Sequence, residues 1–355
     1  MSKYGIWVLL VLLAAVRVVA TRPVYQNGQR IRITGAVVQE PAVYSFNQRI
    51  ILQNLKIYLP KFPEIHYGDR VVVEGLVEDG ELKESKLISL KETENYLIVF
   101  KRKLVSFWQK VLPEPHASLV AGITLGFKSS LPEIFQDSLR KTGTTHVVVA
   151  SGMNVTFVAT FTLSFLIYVT TRRRALIFAS LGIIAYCVIT GFEAPVVRAA
   201  VMSGFAFLAQ GTGRITQSLR LAAMSALVML AVKPSWITDV GFILSFASTI
   251  SLILFEVLVR RKLLFVPGIF RESISTSLAA QVGVAPILFL TFGQFNPLSP
   301  VINALVLWVV PIVMIIGSVG GIVGLIVPEL GKIIIYLCYP LTSWFIWVVQ
   351  TFSKI

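Results

Sequence analysis

The sequence is short of charge and of the residues that build metal centres. Only 14% of its 355 residues are charged, where soluble domains average about a quarter. Two cysteines, Cys187 and Cys338, both sit in apolar runs. That leaves no disulfide framework and no CxxC metal pair. The three histidines, His66, His116 and His146, are widely separated, so no cluster has metal-ligand spacing. Neither a metal nor another cofactor is expected. No Walker-type loop is present, so any nucleotide-driven motor is a different protein. Lone polar groups in apolar segments form no evident titratable cluster, and an enzyme is not expected.

What is abundant is hydrophobic sequence, 55% of the chain. A bilayer core is crossed by about 20 apolar residues. From His146 onward, runs suited to this recur over 146–170, 175–191, 195–210, 218–233, 238–256, 274–292, 300–326 and 333–352. With an N-terminal run, Tyr4–Ala20, they predict a membrane α protein: a polytopic helical bundle of about nine spans. The breaks carry a topology signal. Arg172-Arg173-Arg174, Arg214 with Arg220, Arg260-Arg261-Lys262 and Lys332 fall on one side of an alternating path. Segments 192–194, 234–237 and 293–299 fall on the other and hold no basic residue. The basic side is cytoplasmic by the positive-inside rule. Lys3 ahead of the first run agrees and sends the next segment outside. A retained anchor over 1–22 is the preferred reading of that run; a cleaved signal peptide ending at Val18-Val19-Ala20 stays open.

Residues 23–96 differ in kind. Residues 24–96 hold 9 Lys+Arg and 10 Asp+Glu, while 97–355 hold 20 and 8, so the basic surplus of +14 belongs to the membrane part. Segments 30–38, 49–59, 70–77 and 82–90 are rich in Ile, Val and Leu and in places alternate with polar residues. Glu40-Pro41, Tyr67-Gly68-Asp69 and Asp79-Gly80 separate them. These are strand and turn signals, and Asp79-Gly80 predicts a hairpin. Four or five short strands in this length fit a small external all-β barrel of the OB kind.

Residues 97–144 read as interfacial amphipathic helices, the first with Lys101, Arg102, Lys103 and Lys110 among apolar residues. Residues 145–355 make the polytopic domain. Polar groups inside spans are costly and face a bundle interior or a water path: Arg198, Glu193, Asp239, Glu256, Gln281 and Asn303. Glu193 is placed to pair with Arg198, a pair that gates a path or locks two helices. Ser151-Gly152 interrupts an apolar helix, either lining a cavity or serving a close helix contact.

Three segments come in a telling order: Thr142-Gly143-Thr144-Thr145-His146 through Ala150-Ser151-Gly152-Met153-Asn154-Val155, then Pro195-Val196-Val197-Arg198-Ala199-Ala200, then Asp239-Val240-Gly241-Phe242 through Ala247. This succession, with Leu125-Gly126 upstream and an anchor followed by an OB-like domain, resembles the ComEC-type competence family of DNA-uptake channels over nearly the whole chain. The first segment is similar to the family's Gly-x-x-His-x-x-x-x-Ser-Gly-x-His-Val, except that Asn154 stands where the family has His. The amide keeps hydrogen bonding and loses ionisation.

The resemblance implies a channel for single-stranded DNA across the bacterial inner (cytoplasmic) membrane during natural transformation, with the OB-like domain outside. Candidate path residues are Ser151, Gly152, Asn154 and Arg198, with Lys101, Arg102, Phe107 and Trp108 offering charge and stacking surface. For the last four, headgroup anchoring by basic residues and Trp is the preferred reading, with the DNA contact as the alternative. Asp239 is expected to cap or orient a helix. Up to Ile355 there is no His-x-His-x-Asp-His motif of the metallo-β-lactamase-like nuclease domain that many members carry. This suggests a short form, a fragment or half of a split system, with a separate nuclease and a cytoplasmic helicase motor as partners beside DNA and lipid. Homo-oligomerisation is a further expectation. A transporter of another solute and a non-transporting, degenerate relative stay open as alternatives.

Overall fold

The computed structural model describes residues 25, 27–44, 46–53, 55–127, 131–211, 217–293 and 296–354, together with Val16. The anchor expected over 1–22 otherwise lies outside the described residues, as does Arg214.

Six strands form one mixed sheet: β1 (Arg30–Ala36), β2 (Ala42–Val43), β3 (Asn47–Leu52), β4 (Leu55–Pro60), β5 (Arg70–Glu78) and β6 (Glu81–Lys91). Their order is β1-β5-β6-β4-β3-β2. All neighbours run antiparallel except β4 and β6, which pair in parallel through Lys56–Glu81 and Ile57–Leu82. Alternation decides the faces. Gln48, Ile50 and Leu52 of β3 and Leu55, Ile57 and Leu59 of β4 turn inward onto Ile33, Val71, Val73 and Leu82. Asp79 and Gly80, both at positive φ (49° and 77°), close the β5–β6 hairpin, the conformation such two-residue turns require. The 49–59 segment, expected as one strand, turns back at Gln53 and makes two.

The helices are α1 (Tyr96–Val111), α2 (His116–Leu125), α3 (Glu133–Lys141), α4 (Gly152–Val169), α5 (Arg172–Thr190), α6 (Ala194–Gly211), α7 (Ser218–Val232), α8 (Val240–Lys262), α9 (Gly268–Phe292), α10 (Ser299–Val306), α11 (Val309–Ile326), α12 (Pro328–Tyr336) and α13 (Cys338–Phe352). Among the described residues, seven helical segments are long and apolar enough to cross a membrane. The run at 218–233 yields a shorter apolar helix, α7. The run at 300–326 breaks at Leu307–Trp308 into α10 and α11.

Within the 97–144 stretch, α2 departs from the interfacial expectation. α2 is apolar all round and has nine of its ten residues buried, the mark of a helix enclosed by protein. α1 packs Leu104 and Trp108 against Gly321 and Phe107 against Gly324 of α11. These two helices therefore belong to the bundle core, which they share with α10, α11 and α13. Being surrounded by protein, α2 has no face left for a membrane surface.

Sheet and bundle meet at a polar joint. Asp69, buried, accepts from the backbone N–H of His66 (2.9 Å) and Thr93 (3.0 Å) and from Arg102 (2.6 Å). The Lys101 ammonium lies 2.5 Å from Glu40 and 5.3 Å from the Tyr67 ring centroid. The Tyr67 hydroxyl donates to Val188 O, near the end of α5, at 2.7 Å. Burial, and then the charge of Glu40, pushes the Tyr67 phenol up to about 12.

Candidate functional site: a closed ring of polar helix contacts

The His146–Val155 segment is not one continuous helix. A 3-10 turn over Thr145–Val147 is followed by non-helical residues 148–151, and α4 starts at Gly152 with Ser151 extended at its N-cap. The end of α2 fits against this break. Gly126 closes α2 in the left-handed conformation (φ 69°), and a Cβ there would lie 2.6 Å from that of Ala150. Only glycine permits both.

α2 ends inside protein, so its last carbonyls need donors other than water. Asn154, fully buried, donates its Nδ2 to Ile123 O at 2.8 Å, and the Tyr186 hydroxyl donates to Thr124 O at 3.1 Å. Ser151 Oγ in turn donates to Asn154 Oδ1 (3.1 Å). The amide at 154 thus caps a neighbouring helix, work that needs a donor and no charge.

Gly152 faces α6: a Cβ there would lie 3.1 Å from Arg198 Nη2 and 3.3 Å from Ala199 Cβ. The Arg198 guanidinium crosses to α8. It donates Nε to Ser245 Oγ (2.5 Å) and Nη1 to Thr249 Oγ1, and sits 5.9 Å from the Phe246 ring centroid. These two partners are neutral hydroxyls. Asp239 is the N-cap of α8 and accepts from Phe242 N at 2.8 Å. Glu193 stands half-buried just ahead of α6.

Beyond α8, polar contacts continue from helix to helix. Ser251 of α8 donates to Ala279 O of α9 (2.6 Å), and Asn303 of α10 to Ser277 Oγ of α9 (2.7 Å). Trp344 of α13 donates to Leu305 O of α10 (2.9 Å), and Thr342 Oγ1 of α13 lies 2.8 Å from His116 Nδ1 of α2. The Asn154–Ile123 bond then returns from α2 to α4. The sequence of contacts α2–α4–α6–α8–α9–α10–α13–α2 is closed. Asn303 Oδ1 is buried without a hydrogen-bond partner among the described residues.

Of the residues singled out from the sequence, Ser151, Gly152, Asn154 and Arg198 come together in this ring. Lys101, Arg102, Phe107 and Trp108 do not. Lys101 and Arg102 are ion-paired in the joint, and Phe107 and Trp108 pack on α11. Trp108 is 0% exposed and offers no outside strand a ring to stack on. Sequence reasoning missed Ser245, Thr249, Tyr186 and Ser277. Each is a common small or aromatic residue in an apolar run, and only the partner across the helix gives it meaning. Among the described residues no three His, Cys, Asp or Glu side chains are grouped as metal ligands.

Comparison with known proteins bears on this geometry. Over 235 residues the chain is 28% identical to ComE operon protein 3 of Bacillus subtilis (strain 168); the alignment covers 65% of this chain and 30% of that protein. The chain thus spans under a third of that relative's length. No solved structure matches the chain. The family described as competence protein matches residues 123–355, a stretch that contains Asn154, Arg198 and Asp239. With most of its length inside that match, this chain is a member of the competence protein family.

Proposed function

We propose that the chain provides a path for single-stranded DNA across the bacterial cytoplasmic membrane during natural transformation. The observation that carries this reading is Arg198, half-buried within a span and held by Ser245 and Thr249 of α8. A cation inside a span is retained for a reason, and a phosphate backbone supplies one. The match of residues 123–355 to the competence protein family supports the same reading. Glu193, at the entrance to α6, would modulate that charge.

The sheet is proposed to be an OB-type barrel on the outer side. Its parallel β4–β6 pair inside an otherwise antiparallel order is what supports this, with β1 and β2, neighbours in the chain, at the two opposite ends of that order, as closure into a barrel requires. The proposed division is an anchor over 1–22, the barrel over 23–96, a connecting helical segment over 97–144 and the transport domain over 145–355. A separate nuclease and a cytoplasmic helicase would complete the system, and copies of the chain would assemble around one path.

The test is uptake of labelled DNA by the source organism, with surface binding scored separately. Deletion of the gene is expected to leave binding intact and abolish internalisation, and re-expression to restore it. The Arg198→Ala form is expected to fold and restore less than about a tenth of uptake, a loss of about 1.4 kcal/mol or more. Normal uptake by folded Arg198→Ala would remove the role of Arg198.

A further inference from the structure

Tyr67 lies in the loop between β4 and β5, and α1 fixes its backbone. Tyr67 O accepts from Arg102 Nη2 at 3.1 Å. A Cβ on Gly68, the next residue, would fall 2.6 Å from Ile98 Cδ1. From this anchored position the side chain reaches the corner where α5 turns into α6. The ring covers Gly191, whose Cβ would lie 3.4 Å from Tyr67 Cε2. The hydroxyl ends on Val188 O.

That carbonyl is the one a longer α5 would use. In a continuing helix Val188 O accepts from the N–H four residues on, at Phe192. Here Phe192 N donates instead to Cys187 O (3.0 Å), and Val188 O receives only a long bond from Gly191 N (3.4 Å). The chain leaves the helix because Gly191 and Phe192 are both left-handed, at φ 82° and 54°. Glycine takes that conformation freely, whereas phenylalanine does so at a steric cost. Phe192 is 50% exposed, so packing of its own ring does little to offset that cost.

We propose that Tyr67 is a positioning residue: by supplying the donor for Val188 O it holds the α5–α6 corner unwound and so sets where Arg198 meets α8. The inference does not depend on what passes beside Arg198. Without the Tyr67 hydroxyl, Gly191 and Phe192 wind into α5, Phe192 N takes Val188 O, and the left-handed phenylalanine is relieved. Only residues 191–193 separate α5 from α6. Winding two of them into α5 lengthens it by about 3 Å and leaves Glu193 alone to make the corner, so the start of α6 has to move. Arg198 follows one turn after Ala194, and its bonds to Ser245 and Thr249 of α8 move with it. The sheet itself stays seated, because Lys101–Glu40 and Arg102–Asp69 remain.

The test uses the full chain in phosphatidylcholine nanodiscs, with pairs of nitroxide labels on introduced cysteines; the native Cys187 and Cys338 are buried. Gly204→Cys on α6, where nothing lies within 4 Å of a Cβ, is paired with Ile322→Cys on α11. The reference pair is Leu181→Cys on α5 with Ile322→Cys; Leu181 and Ile322 are both exposed. Tyr67→Ala is expected to add a second 204–322 distance displaced by about 3 Å or more and to leave the reference pair unchanged. Tyr67→Phe keeps the ring without the donor and is expected to add a smaller share of the same second distance. Phe192→Gly removes the cost of the left-handed corner and disfavours winding, so in the Tyr67→Ala background it is expected to restore the single distance. An unshifted single distance in Tyr67→Ala overturns the proposal. So does an equal change in the reference pair, which would mean general loosening, or a second distance that survives Phe192→Gly. Should Tyr67→Ala not fold, Tyr67→Phe is judged by the same outcomes.

Discussion

The two halves of the helical part are packed by different rules. In α11, 44% of the residues are buried, against 11% in α6, so the first is enclosed by protein and the second is mostly left to lipid or to a path. The enclosed half, α1, α2 and α10–α13, is held by dense apolar contact and by glycines that let helices touch. The open half, α4–α9, is less enclosed except at α5, and adds polar bonds such as Arg198–Ser245 and Ser251–Ala279 O to its apolar contacts. Dense packing resists change.

The sharpest way to break the comparison is one substitution made on each side. In the packed half a Cβ at Gly331 would fall 2.1 Å from Gly324 Cα. Gly331→Val is expected to cost more than about 3 kcal/mol, beyond ordinary overpacking because backbone is struck. In the open half nothing lies within 4 Å of a Cβ at Gly204. Gly204→Val is expected to stay within about 0.5 kcal/mol. Thermal unfolding in detergent reads both. A large loss at Gly204 would mean that the open half is packed after all.

The joint with the sheet comes next. Lys101→Met alone strands Glu40 and should cost about 3 kcal/mol, while adding Glu40→Leu should recover most of it. If the double variant is as unstable as the single one, the ion pair does not hold the sheet in place.

A smaller effect is expected at the break in the ring. Asn154→Ala leaves Ile123 O without its donor at a cost of about 1–3 kcal/mol. Asn154→His, the family's residue, keeps a donor and is expected to recover stability. Equal loss in both would show that shape, not the hydrogen bond, governs this position.

The mildest prediction concerns pH. The Tyr67 phenol is raised from 10.0 to about 12 in the folded protein. Its contribution to the joint is complete below pH 10.0 and disappears as pH rises through about 12. Proteolytic release of the sheet should increase over that window and should do so less in Tyr67→Phe. A pH response equal in the two proteins would exclude Tyr67 as its source.

Much of this was legible in the residues, and the rest had physical reasons for staying hidden. Apolar runs from His146 onward marked the long helices because bilayer thickness sets their length. Asp79-Gly80 marked its hairpin because few residues accept positive φ at both turn positions. Residues 116–125 misled because an apolar stretch of ten is too short to span, and sequence does not say whether lipid or protein will enclose it. Lys101 and Trp108 looked like surface residues for a related reason: their partners, Glu40 and Gly321, lie far along the chain. The ring itself was only half visible. Arg198 and Asn154 stood out as polar groups in apolar runs, whereas Ser245 and Ser277 did not.

The central claim is that DNA passes beside Arg198 within the ring. It is tested most directly by a photo-reactive phenylalanine introduced in place of Met202, whose Sδ lies 3.9 Å from the Arg198 guanidinium. The comparison is the same group in place of Phe178, exposed on α5 outside the ring. Illumination during uptake of labelled DNA is predicted to crosslink the incoming strand at position 202 and not at 178. No crosslink at 202, or equal crosslinking at both positions, would contradict the account.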